Sequence, residues 1–73
     1  MVVELLNTNM NLGLKAGHYY LAEPYWVDPE AKVVLLVRLS KKDRKPIGKN
    51  PRCTQYRYEV KIIEDGVSNH SII

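Results

Sequence analysis

The chain has 73 residues and a mass of 8.4 kDa, with 11 Lys and Arg against 8 Asp and Glu, which gives a net charge of +3. This length allows one small domain, and a hydrophobic content of 45% is that of a globular protein rather than a disordered one. No apolar run approaches the roughly 18 residues that span a bilayer, and no basic segment precedes an apolar core at the N-terminus. We therefore expect a soluble cytoplasmic protein without a membrane segment or a secretory signal.

The residue inventory leaves little room for disulfide or metal chemistry. The one cysteine, Cys53, cannot form a disulfide within the chain. Together with two histidines it cannot complete a four-ligand zinc site without carboxylates or a second chain. We therefore expect no metal and no cofactor.

The first third of the chain alternates between apolar segments and turn signals. Residues 2–6 are compatible with a short strand or with one helical turn, and the polar residues 7–11 end that segment. Residues 17–27 predict a strand region, in which Pro24 marks a bend or an edge position because proline has no N–H donor. A turn is predicted at 27–30, where a second proline fixes φ.

Residues 32–40 predict a strand with one continuous apolar face, because strand side chains alternate between faces and its valines favour extended backbone. That face carries Val33, Leu35, Val37 and Leu39. The opposite face begins with Val34 and Leu36 and continues with Arg38 and Ser40. The first half is therefore expected to be buried on both sides, either in the middle of a barrel or against another chain. Dimerisation through Val34 and Leu36 is one option.

Residues 54–62 alternate without interruption and predict a second antiparallel, half-buried strand. One face would hold Tyr56, Tyr58, Val60 and Ile62, and the other Gln55, Arg57, Glu59 and Lys61. We therefore expect the two tyrosines in the core. The Asp65-Gly66 pair that follows is a hairpin signal, which predicts a last strand within 67–73.

Four or five short strands with little helix predict a single all-β domain over residues 1–73. The usual solutions for so many short strands are two sheets or a closed barrel. The sequence favours a small SH3-like or OB-like barrel, or a strongly twisted antiparallel sheet, with a long basic hairpin loop at 41–53.

That loop is the most unusual segment of the sequence. From Arg38 to Arg52 there are seven basic residues and one acidic residue, whereas the rest of the chain has four basic and seven acidic residues. A hairpin loop usually has two to five residues, and one of this length is typically functional or disordered. Lys and Arg neutralise phosphates and release counterions, so the loop predicts a nucleic-acid-binding site. The predicted contacts are Arg38, Lys41, Lys42, Arg44, Lys45, Lys49 and Arg52, with Arg57 and Lys61 extending the site onto the next strand.

Exposed aromatic side chains would indicate how such a surface is used. Beside the loop they would stack on bases, and away from it they would indicate a protein interface. The candidates are Tyr20, Tyr25 and Trp26, because adjacent strand residues face opposite ways.

The sequence leaves the partner open, since no motif selects DNA, RNA or an acidic protein surface. The alternative to nucleic-acid binding is a small protein-binding factor that docks through the basic loop and the exposed aromatics. Such a factor would be an inhibitor, an adaptor or a viral-type assembly subunit. A homo-oligomer or a larger assembly is compatible with either function, and a solvated loop without a partner is the third interpretation.

No pattern predicts catalysis. The sequence has no Gly-rich phosphate loop, no HExxH and no GxSxG. Cys53 with His18 or His70 would supply a nucleophile and a base, and Arg52 would lower the pKa of the thiol, but nothing local supports that pairing. We expect a binding module and not an enzyme.

Overall fold

The computed structural model describes residues 1–48 and 50–64, and in this part the chain is all-β, with five antiparallel strands and no α-helix. The strands are β1 (Val2–Leu5), β2 (Tyr19–Pro24), β3 (Lys32–Leu39), β4 (Cys53–Tyr56) and β5 (Val60–Glu64), and short 3₁₀ turns lie at Met10–Leu12 and Arg57–Glu59. They form one open sheet in the order β4-β3-β2-β1-β5, so that β4 and β5 are its edges. The prediction of a mainly β fold is confirmed. The predicted hairpin at Asp65-Gly66 and the strand within 67–73 lie outside the described residues.

No helix in the described ranges is long and apolar enough to span a membrane.

Strand pairing resolves the ambiguous N-terminal segment. Val3 lies opposite Tyr20 of β2 on one side and opposite Ile62 of β5 on the other. Because both backbone edges of β1 find partners, residues 2–5 form a strand and not a helical turn.

The core lies on one face of the curved sheet and uses the apolar face predicted for β3. Val33 and Leu35 are fully buried, and Leu39 is 5% exposed. The central cluster comprises Val3, Leu5, Leu14, Tyr20, Ala22, Val33, Leu35 and Val60. Burial of each large aliphatic side chain stabilises the fold by about 1.5–3 kcal/mol, so this cluster is the main stabilising element of a small domain.

The prediction of one strand over 54–62 is wrong. The chain pairs with β3 through Tyr56, turns through the 3₁₀ segment Arg57–Glu59, and then pairs with β1 from Val60 onwards. The turn is held to the rest of the sheet by the amide of Arg57, which donates to the carbonyl of Ala31 at 2.8 Å. The alternating residues therefore belong to two strands at opposite edges of the sheet.

The faces predicted for this segment are correct for the buried Val60 and the exposed Lys61 and wrong for both tyrosines and for Gln55. Tyr56 is 45% exposed and Tyr58 is 73% exposed, and their rings stack on the surface with centroids 5.2 Å apart. Gln55, assigned to the polar face, is buried instead, opposite Val33 in β3. Its side-chain amide donates to the carbonyl of Thr54 at 2.7 Å. This hydrogen bond replaces one of those that the amide loses to water on burial.

Candidate nucleic-acid interface

The first half of the basic loop folds back on the end of β3 as an ordered turn. The amide of Arg44 donates to the carbonyl of Ser40 at 2.8 Å, and the amide of Ser40 donates to the carbonyl of Lys45 at 2.9 Å. The amide of Ile47 donates to the carbonyl of Arg38 at 2.9 Å. These bonds hold the loop cations close to the sheet.

Side-chain contacts tie this turn to the neighbouring strands. The ammonium of Lys41 lies 5.6 Å from the ring centroid of Tyr19, and the guanidinium carbon of Arg44 lies 5.4 Å from the same centroid. Both separations are within the range of cation–π attraction. Arg44 also forms an ion pair with Glu64 at the end of β5. Tyr19 is therefore the aromatic residue that lies beneath the basic loop.

Positive charges from three parts of the chain converge on His18. Burial lowers the pKa of His18, and the charges of Arg38, Lys15 and Lys41 lower it further. Lys15 comes from the β1–β2 loop, Arg38 from β3 and Lys41 from the basic loop. The charges that lower this pKa are all positive, which indicates a cluster of cations around His18.

Arg38 occupies the centre of this surface. Its Nη2 lies 3.3 Å from Nε2 of His18. Because a guanidinium can only donate, Nε2 accepts and the proton of His18 lies on Nδ1. The Nε of Arg38 is buried and has no hydrogen-bond partner among the described residues. A buried donor without a partner costs about 1–3 kcal/mol.

A cavity of about 420 Å³ opens beside Arg38. Its walls come from the β1–β2 loop, from β2 and β3, and from the end of the basic loop. The lining residues are Leu12, Gly13, Leu14, His18, Tyr20, Arg38, Asn50 and Pro51. The cavity therefore joins a cationic group to an apolar wall.

The structure places three of the predicted contacts together, with Arg38 beside His18 and with Lys41 and Arg44 over the ring of Tyr19. We define the basic surface as Lys15, Arg38, Lys41, Lys42, Arg44, Lys45 and Arg52. Lys41, Lys42, Lys45 and Arg52 are exposed, and Arg38 is half-buried. Lys49 lies outside the described residues.

One predicted contact, Arg57, does not belong to this surface. The side chain of Arg57 donates to the carbonyl of Pro29 at 2.8 Å, in the turn between β2 and β3. Lys61 is exposed on β5, where it lies opposite Glu4, and Glu4 lies opposite Tyr19 on its other side. Both were placed beside the loop on the assumption of a continuous strand over 54–62, and the 3₁₀ turn removes that assumption for Arg57.

Sequence reasoning missed Lys15 and His18. Both precede β2, more than twenty residues before the basic loop, and no local charge run marks them. The pairing of Tyr19 with Leu39 is what brings them to the end of β3. To predict their position, residues 17–27 would have had to be paired with residues 32–40 in that register.

The aromatic candidates separate into a buried and an exposed group. Tyr20 is 2% exposed, so its prediction as a surface contact is wrong, because strand alternation turns it into the core opposite Val3. Trp26 is 83% exposed and packs against the half-buried Tyr25 with ring centroids 6.0 Å apart. Lys32 lies 5.0 Å from the centroid of Tyr56.

These exposed rings lie at the other end of β3 from the basic loop. We call the group Tyr25, Trp26, Tyr56 and Tyr58 the aromatic end. β3 has eight residues, and at about 3.3 Å per residue it separates this group from the start of the basic loop by roughly 23 Å.

Cys53 shows no feature of a reactive thiol. It begins β4, is half-buried, and has its pKa raised by burial, against a smaller opposite effect of a hydrogen bond from Gln55. The expectation that Arg52 lowers this pKa is therefore wrong. His70, its other proposed partner, lies outside the described residues. Within those residues no group of three or more His, Cys, Asp or Glu side chains is arranged to hold a metal ion.

A scan against protein-family models finds no match for this chain, and searches of curated proteins and of solved structures find none either. Its function is therefore inferred from its own residues.

Proposed function

We propose that the protein is a nucleic-acid-binding module that grips the phosphate backbone of DNA or RNA with the basic surface. The observation that carries this proposal is that Arg38 of β3 contacts His18 while Lys41 and Arg44 of the loop lie over the ring of the neighbouring Tyr19, so that cations from two parts of the chain lie together. A charge run confined to one solvated loop would not build such a field. Held close together on folded backbone, these cations match the closely spaced charges of a nucleic acid.

The number of exposed cations sets the expected salt dependence. Arg44 is left out because it pairs with Glu64, and Arg38 because it contacts His18. The remaining exposed cations are Lys15, Lys41, Lys42, Lys45 and Arg52. If each neutralises one phosphate, log K falls against log salt with a slope of about −4.5 for duplex DNA and about −3.5 for a single strand.

A matched pair of double variants tests the proposal. Lys41→Gln with Lys42→Gln removes two charges from the basic surface, and Lys32→Gln with Arg57→Gln removes two charges at the other end of β3. We expect the first pair to reduce the magnitude of the duplex slope by about 1.8 and the second to leave the slope almost unchanged. Fluorescence anisotropy of labelled oligonucleotides over a salt series measures both, and thermal melts check that the variants are folded. Equal slopes for the two variants, or no binding of the wild type at about 50 mM salt, would exclude this function.

We also propose that the sheet curls into a small barrel. Four strand spacings would place the edges of a flat sheet about 19 Å apart, but the four residues from Tyr56 to Val60 span at most about 14 Å. The ion pair between Arg44 and Glu64 supports the same curvature, because it joins the loop after β3 to the end of β5. The meander order favours an SH3-like over an OB-like form, which has Greek-key connections. Nuclear Overhauser contacts between the basic loop and β5 test this, and their absence would leave a flat sheet.

The aromatic end supports a second candidate, a small protein-binding factor such as an adaptor. Trp26, Tyr56 and Tyr58 are exposed together, and Trp and Tyr are the residues enriched at the centres of protein interfaces. A groove of about 300 Å³ lies alongside, lined in part by Leu12, Lys32 and Tyr56. Because these rings lie away from the basic surface, they do not stack on bases held there.

Trp26 is the one tryptophan of the chain, so its fluorescence reports on the aromatic end. We expect oligonucleotides to leave its emission unchanged and a protein partner to shift the emission to the blue. Trp26→Ala should then weaken the partner complex without changing oligonucleotide affinity. A large emission change with oligonucleotides alone would contradict the separation of the two surfaces.

A further inference from the structure

We propose that the cavity beside Arg38 binds a nucleotide unit that ends in a phosphate group, either a free mononucleotide or the phosphorylated end of a strand. This inference rests on the proposed nucleic-acid-binding function, because the ligand is a unit of that polymer. The cavity would bind the base or the ribose together with the phosphate, whereas the open surface contacts phosphate groups alone.

The polar side of the cavity is suited to an oxyanion. Arg38 and His18 both line it, and the half-buried Arg38 has its Nη2 beside Nε2 of His18. A guanidinium presents donors in a planar fork that matches the oxygens of a phosphate. Asn50 also lines the cavity, and its side-chain amide is a further donor group. The cavity therefore provides at least two donor groups for one anionic group.

The surrounding charge favours a terminal phosphate over a carboxylate. Lys15 and Lys41 act on His18 together with Arg38, and no negative charge is among the causes of its shift. A terminal phosphate carries a charge of about −1.5 to −2 at neutral pH, whereas a carboxylate carries one negative charge. The more highly charged group gains more from three nearby cations.

The other side of the cavity is suited to the rest of a nucleotide. Leu12, Leu14 and Pro51 form an apolar wall, on which the flat face of a base or the carbon atoms of a ribose can pack. The volume of about 420 Å³ falls within the range of roughly 300–1,000 Å³ that is usual for small-molecule sites. Both halves of a nucleotide thus find a complementary surface.

The first experiment is an NMR titration with adenosine 5′-monophosphate, and with adenosine and inorganic phosphate as its separate halves. We expect the nucleotide to bind at least about tenfold more tightly than either half, because it combines charge-assisted hydrogen bonds with apolar contact. Adenosine binding as tightly as the nucleotide would show that the phosphate is not recognised. Inorganic phosphate binding as tightly would show that the apolar wall is not used. Either result overturns the proposal.

Variants separate the cavity from general positive charge. Arg38→Gln should weaken nucleotide binding by about tenfold or more, whereas Lys32→Gln removes the same charge at the other end of β3 and should have little effect. Asn50→Ala, at an exposed position, should weaken binding without changing the melt, and it carries the test if Arg38→Gln does not fold. Equal losses for Arg38→Gln and Lys32→Gln, or no loss for Asn50→Ala, would overturn the proposal.

A second titration identifies the source of the nucleotide. Oligonucleotides labelled at the 3′ end and carrying either a 5′-phosphate or a 5′-hydroxyl are compared. Tighter binding of the phosphorylated form assigns the cavity to strand ends, and equal binding with retained mononucleotide affinity assigns it to free nucleotides. If mononucleotide binding persists without the expected salt slope, the proposed function is wrong and the cavity assignment stands. If the salt slope holds without mononucleotide binding or a 5′-phosphate preference, the cavity inference alone is wrong.

Discussion

Truncation of two neighbouring leucines in β3 tests which face of the sheet forms the core. Leu35 is fully buried, so Leu35→Ala removes packed methyl groups and leaves a cavity, at a cost of about 3–5 kcal/mol. A chain of 73 residues has a total stability of about 4–11 kcal/mol. The variant should therefore lose a large part of that stability, with a melting temperature lowered by at least about 12 °C, and at the lower end of the range it would be close to unfolded at room temperature.

Leu36 is the matched control, since it carries the same side chain on the opposite face and is half-buried. Leu36→Ala should cost about 1 kcal/mol. Urea denaturation followed by circular dichroism measures both variants. If both substitutions lower the free energy of unfolding equally, the assignment of the faces of β3 within one molecule is wrong. That result would indicate that a second layer covers Val34 and Leu36. A melting temperature that depends on protein concentration would then identify that layer as a second copy of the chain.

Three further predictions concern single side chains. Because burial and nearby positive charge lower the pKa of His18 from its usual value of 6.5, the unfolded chain binds this proton more readily than the folded one. The corresponding stability is complete above about pH 6.5 and is lost as the pH falls below it, so urea titrations across this range should show a weaker pH dependence for His18→Asn. Arg57→Ala removes the hydrogen bond to Pro29 and should cost about 1 kcal/mol in the same assay; an unchanged unfolding midpoint would show that this bond does not hold the 3₁₀ turn. Cys53→Ser should cost at most about 1–2 kcal/mol and leave oligonucleotide affinity unchanged, and loss of binding by the folded variant would implicate the thiol.

The parts of the fold that the sequence predicts are those that depend on local signals. β3 is correct because Val33 and Leu35 alternate with half-buried neighbours in a segment rich in β-branched residues. The sequence does not predict the break between β4 and β5 at Arg57–Glu59, because this segment contains no glycine, proline or asparagine to mark a turn. The alternation of polar and apolar residues also continues across it by coincidence. Pairing partners decide where one strand ends and the next begins, and period-two patterning carries no information about partners.

The same distinction applies to the candidate site. The loop cations were predictable because they are close together in the sequence, and local charge can be counted directly. Lys15 and His18 were not, because their proximity to Arg38 depends on the register of β2 against β3. The cavity beside Arg38 combines residues from the β1–β2 loop, two strands and the basic loop. No single segment carries its signature.

The separation of the basic surface from the aromatic end changes the relation between the two candidate functions. In the sequence they compete, because both functions were expected to use the basic loop. In the structure Tyr19 lies beneath the loop cations, whereas the strongly exposed Trp26 and Tyr58 lie at the far end of β3. Roughly 23 Å of rigid strand separates the two ends, which exceeds the Debye length of about 8 Å at physiological salt. Charge bound at the basic surface is therefore screened from the aromatic end, so the two proposed functions do not exclude each other electrostatically.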